Sequence, residues 1–356
     1  VRIGQVSPLF ESVPPTEYGG TERVVSYLTE ELVRAGHDVT LFASGDSSTS
    51  ARLVPMTERS LRRDDSCVDA VARHLVMLER ISRLAADFDI LHYHVDYLHF
   101  PFSRRAGIPQ VTTLHGQLDI ADLQPVYDEF PDMPVVSISN AQRIPLPQAN
   151  WAGTVYHGLP PELFTPAVAH AVGDYLLFLG RISPEKRADR AVEIAERTGR
   201  PLRVAAKIDR ADRQYFTREI ADLFKSPAVE FLGEVGDEIK GSLLAGAQAL
   251  LFPIDWREPF GLVMIEAMAC GTPVIAWANG SVPEIITDGL TGFIVDNLDD
   301  AVEAVGRLPQ LCRSAIRNEF ERRFTARRMA EEYVGIYQRL IDEHAGLSLP
   351  EQVACD

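Results

Sequence analysis

At 356 residues the chain is longer than a single hydrophobic core usually supports, so two domains are expected. Its 35 Lys and Arg against 51 Asp and Glu give a formal charge of -16, which argues against nonspecific attraction to nucleic acid, and no apolar run reaches the roughly 18 residues of a transmembrane helix. Cys67, Cys270, Cys312 and Cys355 stand far apart with no CxxC pair, so neither a zinc site nor a disulfide framework is expected and a reducing, cytoplasmic setting fits best.

The chain opens on "RIGQVS", a strand pattern without the layout of a signal peptide. Short β-branched runs then alternate with amphipathic segments of helical length: 21–35, "DVTLFA", 68–86, "DILHYH", "QVTTLHG" and "PVVSIS". That rhythm predicts parallel strands with helical crossovers in a doubly wound sheet. After the proline-rich stretch 158–170 it restarts with "DYLLFLGR" and runs through "LRVAAK", "VEFLG", "ALLFP", "PVIA" and "GFIV". Two α/β domains are therefore expected, 1–165 and 172–324, with strand ends facing a cleft where ligands of such sheets bind. A last helix, about 325–345, carries Met329, Tyr333, Ile336, Tyr337 and Leu340 on one stripe, which must pack on something.

Three stretches carry candidate chemistry. In "EYGGTERVV" (17–25), Gly19 and Gly20 permit close backbone approach ahead of a helix whose free N–H groups, with Thr21 in its first turn, suit an anion such as a phosphate. Glycine pairs before helices are also common without a ligand. In "LGRISPEKR" (179–187), Ser183 and Pro184 read as the N-cap and first turn of a helix, which places Lys186 where the macrodipole disfavours a cation. An outside anion would resolve that conflict, with Arg181 at the strand end converging on the same diphosphate. A first-turn lysine pointing into solvent is the plainer alternative.

The third stretch is "WREPFGLVMIEAMACGTP" (256–273). Glu266 has Leu262, Val263, Ala269 and Cys270 at helical spacing and so sits on no polar stripe. Buried, it must be neutralised or accept bonds from donors such as a ligand's hydroxyls. Pro259 forces Glu258 out of helical geometry into the loop, near the unsatisfied N–H groups of Phe260, Gly261 and Leu262. The two carboxylates are thus placed to hold opposite ends of one ligand. In the first domain, His92 and His94 have metal-like spacing but no matched acidic set, and read better as core or surface residues. His115 and Asp96, each at a strand end, are better placed to face a cleft.

Together these residues resemble the family 4 glycosyltransferases, whose GT-B fold has two Rossmann-like domains with the active site between them and a terminal helix crossing back to the first. The resemblance rests on Glu258 and Glu266 with seven residues between them, the Gly19–Gly20 loop, "FLGRISPEKR", "VEFLGEV" and "GSVPEIITDGLTGFIV". It implies an acceptor-side first domain and a second domain that binds a nucleotide diphosphate sugar, UDP- or GDP-linked. The sugar would pass, with retention of configuration, to an acceptor sugar, glycoside or small molecule. By the same resemblance Arg181, Lys186 and the Gly20 backbone bind the diphosphate, and Glu266 takes the ribose hydroxyls. Glu258 and the N–H groups of Phe260, Gly261 and Leu262 hold the donor sugar, Gly233 to Val235 border the base, and His115 lies beside the reacting carbon. Charge handling by Arg181, Lys186 and a helix start then implies no cofactor and no metal, with front-face attack assisted by the leaving phosphate.

Two departures bear on the sugar: His157 stands where many members have Asn, and Trp277 occupies a loop that often has smaller residues. A sugar-nucleotide 2-epimerase and a noncatalytic sugar-nucleotide-binding protein share the fold and remain the competing readings.

Overall fold

The computed structural model describes residues 1–16, 19–167 and 172–348; Glu17 and Tyr18 of the glycine loop, part of the proline-rich stretch and Cys355 lie outside them. The chain forms two compact units, one of Val1–Ile138, Arg143–Tyr156 and the last helix, the other of Ser139–Gln142 and His157–Thr325.

The first unit is built on seven strands: β1 (Arg2–Val6), β2 (Asp38–Ser44), β3 (Arg52–Thr57), β4 (Ile90–Tyr93), β5 (Gln110–Thr113), β6 (Pro134–Ser137) and β7 (Asn150–Thr154). They pair in the order β3-β2-β1-β4-β5-β6-β7, every ladder parallel. Helices Gly20–Arg34 and Ala70–Leu84 are the long crossovers. The central strands β1, β4 and β5 are buried on both faces, and the polar residues they carry, Gln5, His92 and Thr113 among them, are hydrogen-bonded there. Strands β3 and β7 escape that pattern because they are the sheet's edges. Pro55 sits in β3 beside a register shift, where a missing N–H costs no central ladder bond.

The last helix, Ala326–Ser348, packs within this unit, as its apolar stripe requires. Met329, Tyr333, Ile336 and Tyr337 are all buried. The two tyrosine hydroxyls enter a polar seam over the sheet: Tyr333 meets Thr113 Oγ1 at 2.7 Å, and Tyr337 meets His92 Nδ1 at 2.6 Å. Gln5 Nε2 donates to the Tyr337 hydroxyl at 3.0 Å. Their bonding is needed there, since a buried hydroxyl without a partner is costly.

The second unit holds β8 (Leu176–Arg181), β9 (Leu202–Lys207), β10 (Val229–Gly233), β11 (Ala249–Phe252), β12 (Val274–Trp277) and β13 (Gly292–Val295), in the order β10-β9-β8-β11-β12-β13 and again all parallel. The described part of the proline-rich stretch, 158–167, belongs to this unit. His157 packs its ring 4.8 Å from that of Phe260, Leu159 N–H donates to the Phe324 carbonyl at 2.9 Å, and Phe164 is fully buried. Apart from Ser139–Gln142, the second unit therefore begins at His157, earlier than the expected end of the first domain at 165. Among the described residues no helix is long and apolar enough to cross a membrane.

Candidate functional site

At the carboxyl ends of β8 and β9, Arg181 and Lys207 are register partners on adjacent strands. Arg181 donates to Glu185 at 2.8 Å and lies 3.7 Å from Asp209; Lys207 lies 3.6 Å from Asp209 and 4.0 Å from Glu234. Two cations at neighbouring strand ends thus share one carboxylate. Gly233, ending β10, and the half-buried Val235 stand beside Glu234 at the same edge of the sheet.

The helix expected to start at Ser183 starts later. Pro184–Lys186 is an isolated turn, Arg187 adopts left-handed geometry with φ of 53°, and the helix proper is Ala188–Thr198. Ser183 stands at the N-cap of that 3-10 turn, with Pro184 in it, but makes no capping bond: its hydroxyl donates to Glu185 at 2.7 Å. Lys186 is therefore outside the helix whose dipole was expected to oppose it. Its ammonium instead bonds Glu258 Oε2 at 2.5 Å and faces the Trp256 ring 4.6 Å away. Trp256 Nε1 donates to the same Glu258 oxygen at 3.0 Å, so two donors fix the carboxylate and an aromatic wall backs the cation.

Glu258 lies in the loop before helix Leu262–Ala269, where Pro259 leaves it. Gly261 caps that helix at φ of 78°, and a side chain there would meet Met264 Cε at 2.7 Å and Glu258 Cγ at 3.3 Å. Only glycine lets the Glu258 side chain fold over the helix start. The N–H groups of Leu262 and Val263 precede the first intrahelical bond, from Met264 N to Gly261 O at 2.9 Å. Phe260 is itself buried, its ring among His157 and Phe324, so that side chain is a packing element.

The loop after β12 supports this arrangement from behind. Ser281 N–H donates to the Glu258 carbonyl and Ser281 Oγ to the Phe260 carbonyl, each at 2.9 Å, while Asn279 Nδ2 reaches Ile254 O at 3.0 Å. Trp277 is not a loop residue as expected. It ends β12 at 5% exposure, with the Arg190 guanidinium 5.2 Å over its ring, and so fills the core.

Glu266 is 4% exposed, and the structure supplies a partner that sequence reasoning did not find. Lys240, on helix Asp237–Gly246, bonds its Oε1 at 2.7 Å. The signal was weaker than for Glu266: Lys240 has the buried Leu243 and Leu244 at helical spacing on one side, but Asp237, three positions before it, offers a partner on its own helix.

In the first unit, Gly19 is buried and Gly20 opens helix Gly20–Arg34, with Thr21 half-buried in its first turn. Gly19 has a packing reason of its own, since a side chain would fall 2.8 Å from Pro15 Cβ. Asp96 follows β4 in left-handed geometry at φ of 50°, a conformation Asp tolerates better than most residues. His115 sits just past β5, its Nε2 2.9 Å from His94 Nδ1, and His94 Nε2 is 2.9 Å from Gln5 Oε1. An amide oxygen only accepts, so a neutral His94 donates from Nε2 and accepts from His115 Nε2. Burial pushes His115 down to about 3 and holds His92 and His99 well below the ordinary imidazole value. His92 and His94 belong to this polar seam, and among the described residues no three His, Cys, Asp or Glu side chains gather as a metal site would require.

Comparison with known proteins places these features in context. The family model described as "Glycosyl transferases group 1" matches residues 170–326, and that described as "Glycosyltransferase Family 4" matches residues 18–146. A D-inositol 3-phosphate glycosyltransferase from Mycolicibacterium smegmatis is 26% identical over 336 residues, which cover 79% of this chain and 76% of the relative. Among solved structures, AviGT4, a glycosyltransferase involved in avilamycin A biosynthesis, matches with a TM-score of 0.73 and 26% identity over 96% of this chain and 98% of its own. Anabaena HepE, in complex with UDP and glucose, shares the fold at 16% identity with a TM-score of 0.72, covering 95% of this chain and 99% of that one.

Proposed function

Since the chain belongs to the family 4 glycosyltransferases, we propose that its second unit binds a UDP- or GDP-linked sugar and that the protein transfers the sugar, with retention, to a small-molecule or glycoside acceptor. The observation that carries this reading is the pair of lysine–carboxylate contacts around helix Leu262–Ala269: Lys186 with Glu258 ahead of the helix, and Lys240 with Glu266 inside it. In this reading Glu266 accepts the ribose hydroxyls, and Glu258 holds the donor sugar beside the N–H groups of Phe260, Gly261 and Leu262. Gly233 to Val235 border the base.

Arg181 and Lys186 take the diphosphate. Lys186 shares its protons between Glu258 and the phosphate, so the cation that steadies the leaving group also fixes the carboxylate on the sugar. Charge develops on the departing diphosphate as the bond to the sugar lengthens, and donors already in place stabilise it without reorganising. The reaction as proposed needs no metal and no protein nucleophile; the leaving phosphate receives the acceptor's proton on the face where attack occurs. From the first unit the reading assigns the backbone of Gly19 and Gly20, with Thr21, to the diphosphate. It assigns His115 to the transferred sugar and Asp96 to the acceptor side.

The test is release of nucleoside diphosphate from UDP- and GDP-sugars across a panel of acceptors that includes D-inositol 3-phosphate, with the product anomer read by NMR. Release that depends on an acceptor and gives the donor's own anomeric configuration is expected. Sugar interconversion without an acceptor would replace transfer with isomerisation, and an inverted anomer would overturn retention.

A further inference from the structure

Lys240 and Glu266 are 9% and 4% exposed, and each has left nearly all its hydration to meet the other. Such a pair is a poor source of stability, because apolar side chains of the same volume pack in its place at little or no loss. Its presence in an otherwise apolar layer calls for another reason. Lys240 Nζ bonds Glu266 Oε1 at 2.7 Å and Asp237 Oδ1 at 3.1 Å, and stands 5.1 Å over the Phe164 ring. It takes one oxygen of Glu266 and leaves Oε2 to a different donor.

The helices that carry the two charges are tied down at the same end. Arg313 donates to the Ala245 and Ala247 carbonyls at 2.8 and 2.9 Å, and Thr272 Oγ1 to the Leu244 carbonyl at 2.6 Å. Arg317, one turn along the same helix as Arg313, donates to the Ala269 carbonyl at 2.6 Å. One element thus closes the carboxyl ends of both helices, which fixes the height of Lys240 against Glu266.

We propose that Lys240 is a positioning residue for the nucleotide donor: it pins Oε1 of Glu266 so that Oε2 meets the ribose hydroxyls in one orientation. This rests on the reading of Glu266 as the ribose acceptor. A lysine serving only the fold would change stability alone; one acting through Glu266 changes affinity only for nucleotides that have the hydroxyls.

The experiment titrates the full chain calorimetrically with UDP, GDP and ADP, each beside its 2′,3′-dideoxy counterpart. The wild type is expected to favour the ribonucleotide it binds by at least about tenfold. In Lys240→Met that ratio falls to near one, while the dideoxy affinity stays within about twofold. Because Lys240→Met leaves a buried carboxylate unpaired, the pair-neutral Lys240→Met/Glu266→Gln variant guards against misfolding. Set against Glu266→Gln alone, it is expected to show no further loss. A wild-type ratio in folded Lys240→Met, or added loss in the double variant, would overturn the role of Lys240. A wild type that does not discriminate would overturn the ribose reading itself.

Discussion

Gly280 is the position where a single methyl group tests whether the loop geometry matters. Its φ of 59° is one that a residue with a Cβ adopts at a cost of about 1–2 kcal/mol. A Cβ there would also land on the backbone N and O of Glu258 and 2.8 Å from the carbonyl carbon of Arg257. Restoring the roughly 3.5 Å at which carbon atoms rest moves that peptide by about 0.7 Å. A displacement approaching 1 Å in a residue that positions substrate costs on the order of 100-fold in rate. Gly280→Ala should therefore lower the melting temperature by roughly 2–8 °C and reduce kcat about 100-fold. Nucleotide affinity should stay within about threefold, because Lys240 and Glu266 lie on helices that the change does not touch. Differential scanning fluorimetry, steady-state kinetics and calorimetric titration read the three quantities. Turnover within threefold of wild type would refute the claim that Glu258 must be held where it is.

Glu266→Gln should weaken nucleotide binding by about tenfold, near 1.4 kcal/mol, whereas Glu258→Gln should chiefly lower kcat; equal affinity losses in a calorimetric comparison would contradict the division between them. Arg317→Ala removes charged donors from the carbonyls of Ala269, Phe164 and Pro161, at 2.6, 2.7 and 2.8 Å. It should lower unfolding stability in urea by about 2–4 kcal/mol, and an unchanged midpoint would count against that clamp. His92, His99 and His115 have folded values below the unfolded one, so the stability of their neutral forms is present above pH 6.5 and is lost as pH falls below it, by up to about 1.4 kcal/mol per histidine per unit. NMR titration from pH 8 to 5 should find none of the three rings protonating, and a midpoint near 6.5 for any of them would refute its buried neutral state.

How far the sequence could be read depended on whether a residue's role was local. The central strands were legible as short runs rich in β-branched residues between helix-length segments, even where polar residues such as Gln5, His92 and Thr113 interrupt the apolar pattern. Edge strands β3 and β7 carry no such run, and Pro55 disguises the first. Glu266 was legible as an anomaly because its helical neighbours settle its surroundings. Its partner was not, since Lys240 is 26 positions away and only the fold brings the two helices together. Lys186 shows the opposite failure: one left-handed residue, Arg187, delays the helix, and local propensity gave no warning of it. Gly280 and Ser281 opened a motif without a task, and their hold on Glu258 itself is a backbone bond and a close backbone approach that no side-chain pattern encodes.

The claim on which the rest depends is that the second unit binds a nucleoside diphosphate. Thermal unfolding of the full chain with UDP, GDP and ADP tests it most directly, since a ligand at 100 times its dissociation constant adds about 2.7 kcal/mol to the folded state. At least one of the three should raise the melting temperature, and the rise should shrink in Glu266→Gln. No shift with any of them would contradict the account.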